Sequence, residues 1–161
     1  MRPPLTFFVA GVPCGQPRIK ASGRGGFVRC YTPTTVKSKA GVRKEHPATT
    51  WKNQVIAEAQ KHKQALWEGP LCVNLTFYFP RPKSHFKSNG ELKPNAPKWH
   101  TSKPDRDNLD KLCLDAQTIK QGLAKGDLWK DDCQVCDGRI RKFYASHNCA
   151  AGCYIEIKEA E

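Results

Sequence analysis

The chain has 161 residues, a length that fits one compact domain, residues 1–161, with functional loops rather than two independent halves. Its net charge of +12 and pI near 9.5 exceed what solubility requires and point to a polyanionic partner, nucleic acid ahead of an acidic membrane surface. No apolar run approaches the ~20 residues that cross a bilayer, and Leu5 to Val12 is too short and poorly flanked for a signal peptide, so a cytoplasmic protein with no membrane partner is expected.

In chain order, Leu5 to Val12 is β-branched and aromatic and is closed by Pro13 and Gly15, which predicts a core strand. From Gln16 to Lys44 the chain turns basic and glycine-rich. Arg18, Lys20, Arg24 and Arg29 are interleaved there with Phe27, Val28 and Tyr31, as an arm or hairpin over a phosphate surface would be. Thr49 or Thr50 can cap a helix running to about Leu66, with Trp51, Val55 and Ala59 on its apolar face. Gly69-Pro70 ends that helix. Leu71 to Phe79 then reads as a strand buried on both faces and stopped by Pro80 and Pro82. Residues 81–104 combine prolines with Arg81, Lys83, Lys87, Lys93, Lys98 and Lys103 against a single acid, Glu91, the composition of a mobile DNA-contacting loop.

After Pro104 the string Asp105-Arg106-Asp107-Asn108-Leu109-Asp110-Lys111 opens a helix. Leu109, Leu112, Ala116, Ile119 and Leu123 form its apolar face, while Asp107, Lys111 and Asp115 are four apart on the polar side. In an extended lead-in, Asp105 and Asp107 would point the same way. Like charges gathered at a helix mouth are costly unless a cation neutralises them, and hard oxygen donors suit Mg²⁺, with Mn²⁺ as a substitute. Capping and complementing the helix dipole would account for one aspartate, at ~0.3–1 kcal/mol. It leaves unexplained why so cationic a chain places further acids at Asp131 and Asp132, which a loop could deliver to the helix mouth. Beyond them, Arg139, Arg141 and Lys142 lie along a strand and suit phosphate contacts. Cys149 to Ile157 supplies a last strand, paired antiparallel in a final hairpin.

Eight cysteines in a chain with no export signal are expected to be reduced thiols. Cys133 with Cys136 (C-x2-C) and Cys149 with Cys153 (C-x3-C) have spacings that zinc uses. A zinc-stabilised, non-catalytic DNA-binding module is therefore the competing reading, although small buried cysteines in strands are commoner.

The string K-P-D-R-D-N-L-D-K-x3-D, followed by L-W-K-D-D-x-Q-V, resembles the signature of the RusA family of Holliday-junction resolvases across about Lys103 to Arg141. Gly11 to Arg18 and Tyr31 to Pro33 are similar, more loosely, to phage-type members. The resemblance implies that Asp105, Asp107 and Asp132 are catalytic carboxylates binding the divalent cation. It implies that Lys111 is the essential lysine acting on the scissile phosphate or the leaving oxygen, and that Asp115 and Asp131 support the site. It further implies a homodimer acting on branched, four-way junction DNA; the basic residues Arg18, Lys20, Arg24, Arg29, Lys98, Lys103, Arg106, Arg139 and Arg141 are the DNA contacts expected from charge. An endonuclease cutting flaps or duplex would share the same site. Two departures stand out: the stretch from Asp115 to Asp132 is longer than in compact members, and Cys133 and Cys136 replace small apolar residues. The expected fold is α/β in the α+β two-layer sense, a mixed sheet of about four strands with two helices mainly on one face.

Overall fold

A computed structural model describes residues 2–119, 126–146 and 149–161, with Arg24 described by its backbone alone. Nine strands and two α-helices occur among them: β1 (Leu5–Ala10), β2 (Lys20–Arg24), β3 (Phe27–Tyr31), β4 (Thr35–Lys37), β5 (Arg43–Glu45), α1 (Pro47–Lys61), β6 (Leu71–Phe79), α2 (Arg106–Gln117), β7 (Val135–Asp137), β8 (Ile140–Tyr144) and β9 (Gly152–Glu159). The central sheet runs β1-β9-β6, with β7 and β8 sharing the far edge of β6, which makes it four positions wide. It is mixed, because β9 is antiparallel to both β1 and β6 whereas β7 and β8 run parallel to β6. The expected two-layer fold is present: one buried cluster joins Trp51 and Val55 of α1 and Leu109, Leu112 and Ala116 of α2 to Phe7, Val9, Leu75, Phe77, Ile155 and Ile157 of the sheet. No helix among the described residues is long and apolar enough to cross a membrane.

Several local expectations are corrected. β6 is covered by helices on one face only. Leu71, Leu75 and Phe77 are fully buried there, while Asn74, Thr76 and Tyr78 alternate onto an open face and are half-buried. That open face carries a row of touching rings, Phe8 with Tyr154 at 4.8 Å, Tyr154 with Tyr78 at 6.2 Å, Tyr78 with Phe143 at 5.8 Å and Phe143 with Trp99 at 4.3 Å. β8 and β9 do not form the expected final hairpin, because each pairs with β6 from a different side. α1 starts earlier than predicted: His46 caps it by accepting from Ala48 N through Nδ1, with Pro47 in the first helical position.

α2 stops at Gln117 although Ile119 keeps the helical phase. Thr118 turns extended and donates its hydroxyl to Leu114 O, and Ile119 N bonds Trp129 O instead. Leu123, expected on the same face, lies outside the described residues. Residues 81–104, read as a mobile loop, are fastened to β8 and its exit: Arg81 donates to Ala145 O and Pro97 O, and Trp99 bridges to Phe143.

Between β7 and β8 the edge is broken at Gly138, whose φ is +154°. A Cβ there would stand 2.0 Å from Val73 O, so only glycine lets the edge pass β6 at this point. Gly138→Ala is therefore expected to destabilise the fold by about 2 kcal/mol or more. Urea unfolding measures this, and a loss below about 0.5 kcal/mol would contradict the assigned contact.

Candidate active site

The lead-in to α2 is built before the helix begins. Asp105 occupies the N-cap position in extended conformation (φ −68°, ψ 151°), and its side chain makes no capping bond. Asp107 is the second helical residue, so only Asp105 belongs to the extended lead-in and the two carboxylates are not successive residues of a strand. Both are exposed at the mouth of α2, as is Lys111 one turn later. A carboxylate that does not cap its own helix is available for another cation, which makes simple capping a poor account of Asp105.

Lys142 holds the lead-in in place. Paired in parallel with Phe77, it points to the helix-covered side, as Ile140 and Tyr144 do, while Arg141 and Phe143 point to the open face. Its ammonium donates to Ser102 O at 2.7 Å and Pro104 O at 2.6 Å. Burial pushes the Lys142 pKa down, and the charge of Asp105 pulls it back up. Lys142 is thus a clamp on the segment that delivers Asp105, not the outward phosphate contact that its place in a basic run suggests. Period-two alternation along 140–144 is the signal that would have separated it from Arg139 and Arg141. On the other flank, Gln16 N donates to Asn108 O at 2.9 Å, and Gly15 lies so close that a Cβ would stand 3.0 Å from both Asn108 Cβ and Pro104 Cβ.

The remaining acids have other tasks. Asp115 forms an ion pair with Lys52 and so ties α2 to α1. Asp131 caps the short 3₁₀ turn Asp132–Gln134: its carboxylate accepts from Cys133 N at 2.9 Å, and that bond holds its pKa down. Asp110 is half-buried, which pushes its pKa up against the opposing charge of Arg106.

Asp132 reaches the sheet through β7 rather than through the α2 lead-in. Val135, three residues after Asp132, pairs with Leu71, whereas Lys142, which grips the lead-in, pairs with Phe77. Six residues of strand separate the two points, about 20 Å. Among the described residues no three His, Cys, Asp or Glu side chains stand close enough to share a metal ion. The structure thus sets Asp105 and Asp107 at the mouth of α2 and Asp132 just ahead of β7, whose Val135 pairs with Leu71 at the start of β6.

The same register spreads the four cysteines of the zinc reading along the sheet. Cys136 donates to Leu71 O, while Cys153, fully buried on the helix side, pairs with Phe77 and is pushed to a higher pKa by burial and by the neighbouring Cys113 thiol. All eight cysteines are free thiols.

The predicted DNA contacts fall into three groups. Lys20 and Arg29 stand exposed on the β2–β3 hairpin, with Arg18 just before it and Arg24 in its strand. Arg106, Arg139 and Arg141 line a groove of about 670 Å³ that runs from the start of α2 onto the open sheet face. Lys98 lies 5.5 Å over the Phe143 ring, and Lys103 is exposed beside the lead-in.

A family model described as Endodeoxyribonuclease RusA matches residues 10–158. A Bacillus subtilis (strain 168) protein carrying the printed name "Uncharacterized protein YqaN" is 32% identical over 150 residues, covering 88% of each chain.

Lys142→Met is expected to lower stability by about 1.5–3 kcal/mol, the range for hydrogen bonds made by a charged group, and to speed tryptic cleavage after Lys98, the Lys103-Pro104 bond being resistant to trypsin. Lys142→Arg should restore protection. Thermal melts and timed proteolysis read both effects, and wild-type protection in Lys142→Met would remove the clamp.

Proposed function

Because the chain belongs to the RusA family of endodeoxyribonucleases, we propose that it resolves four-way junction DNA by hydrolysing a phosphodiester at the mouth of α2, using Mg²⁺, with Mn²⁺ as a substitute, held by Asp105 and Asp107. The observation that carries this reading is two exposed carboxylates two residues apart at the mouth of α2 in a protein of charge +12, with the lead-in held by Lys142 and the first turn of the helix by Gln16. Their donor set fits the ion. Mg²⁺ is commonly bound through one or two carboxylates and keeps its other positions for water and substrate phosphate. A divalent cation bound there supplies an acidified water and neutralises charge in the transition state.

The chain's own residues supply position and charge. Lys111, one turn beyond Asp107, reaches a phosphate oxygen or the leaving oxygen from the same helix face. The free N–H groups and positive dipole end of α2 favour a phosphate at its mouth. Arg106, Arg139 and Arg141 hold the flanking backbone along their groove, and Lys98 and Lys103 extend the track. No nucleophilic side chain is needed, since phosphoryl transfer depends on positioning and electrostatics. A four-way junction has approximate two-fold symmetry and needs two matched cuts, so the active species is a C2 homodimer with one site per subunit. A cytoplasmic site of action fits that substrate.

Asp107→Asn is expected to reduce Mg²⁺-dependent cleavage by about 10²-fold or more, while junction binding in EDTA is retained or tightened by the loss of a negative charge. Labelled junction, flap and linear duplex substrates assayed together identify the preferred DNA, and full cleavage by the variant would remove the mechanism. A loss in Asp132→Asn as deep as that in Asp107→Asn would require Asp132 to reach the α2 mouth by movement in the complex or from a second subunit.

A further inference from the structure

From Gln16 to Lys44 the chain carries eight lysines and arginines and no acid. The fold uses this stretch for two hairpins, β2–β3 and β4–β5, and none of the described side chains in those strands is buried. An isolated two-stranded ribbon is marginally stable in water, so such an element makes sense chiefly against a partner.

The β2–β3 ribbon sorts its side chains by face. Lys20 pairs with Tyr31, Ser22 with Arg29 and Arg24 with Phe27. Opposed residues of an antiparallel pair project together and alternate residues share a face. Lys20, Ser22, Phe27, Arg29 and Tyr31 therefore stand on one side, and the small or apolar Ala21, Gly23, Val28 and Cys30 on the other. Phe27 is at the very tip, directly after Gly25-Gly26, whose φ values of 61° and 85° make the tight turn. It is 84% exposed, and Val28 beside it is 73% exposed.

The tip's reach is set by its root. The backbone bond from Gln16 to Asn108 starts the arm beside Asp107, and the five residues of β2 span about 17 Å.

Cations alone would serve any phosphate backbone. An aromatic ring held out at the end of a cationic ribbon adds something a continuous duplex cannot use, because every base in it is already stacked. Stacking a base on such a ring is worth roughly a factor of five to a hundred in affinity, and unstacking costs least where a branch has already opened the step. A second copy of this chain is a poor occupant for the ribbon, since like charges without any acid would face one another.

We infer that the β2–β3 ribbon selects branched over continuous DNA: Lys20 and Arg29 hold phosphates while Phe27 stacks on an unpaired or unstacked base at the branch. The inference rests on the nuclease reading for the site of the cut, but not for the binding itself.

The test is binding without metal. Full-length protein in EDTA is titrated with a fluorescent four-way junction and with linear duplex of matched length, and light scattering is run on each variant. Phe27→Ala, at an exposed position, should weaken junction binding about ten-fold and leave duplex binding unchanged. Phe27→Trp should retain the preference. Arg29→Ser should weaken both DNAs alike and lower the salt dependence of each by about one ion. A 2-aminopurine at the branch should change its fluorescence with wild type and not with Phe27→Ala. An unchanged junction-to-duplex ratio in Phe27→Ala overturns the inference, as does a fall in molecular mass showing that the ring joins two copies. Wild type that binds selectively but never cuts in Mg²⁺ would refute the nuclease reading and leave the ribbon's role standing.

Discussion

Leu71, Leu75 and Phe77 lose all contact with water because α1 and α2 lie across one face of β6, and this burial fixes the register of every strand that pairs with it. A slip of one residue would turn those side chains out and Asn74, Thr76 and Tyr78 in, so the register is not negotiable. β9 meets β6 on one side; β7 and β8 meet it on the other, separated by the break at Gly138. The positions of the functional groups follow. Lys142 comes to rest opposite Phe77 and grips the α2 lead-in, whereas Asp132 is left near Leu71.

Electrostatics acts on that frame in two opposite senses. The hairpins and the β8 edge present cations with few acids among them, which raises the local concentration of any nucleic acid. At the mouth of α2 two exposed carboxylates, Asp105 and Asp107, stand within that cationic surface, with Lys111 one turn further along the helix. Asp115 and Asp131, which belong to the same acidic string, are spent on structure: one joins the two helices, the other closes a turn by accepting from Cys133 N. A cluster of acids in sequence is therefore not a cluster in space.

Much of this was legible before any coordinates. The apolar run Leu71–Phe79 bounded by prolines, the helix opening after Pro104 and the basic arm each carry a local signal, and each element stands where it was expected. What local signals do not carry is non-local. Ile119 keeps helical phase, and nothing nearby reveals that its N–H is taken by Trp129 O. Asp132 and the four cysteines depend on strand order, which alternation and spacing do not encode. Lys142 looked like its neighbours because a basic run hides which members face inward.

The single hydrogen bond from Gln16 to Asn108 joins the root of the basic arm to the residue next to Asp107. The hairpin is thereby anchored to the first turn of α2 by main-chain atoms, so a side-chain substitution at position 16 or 108 leaves that anchor in place.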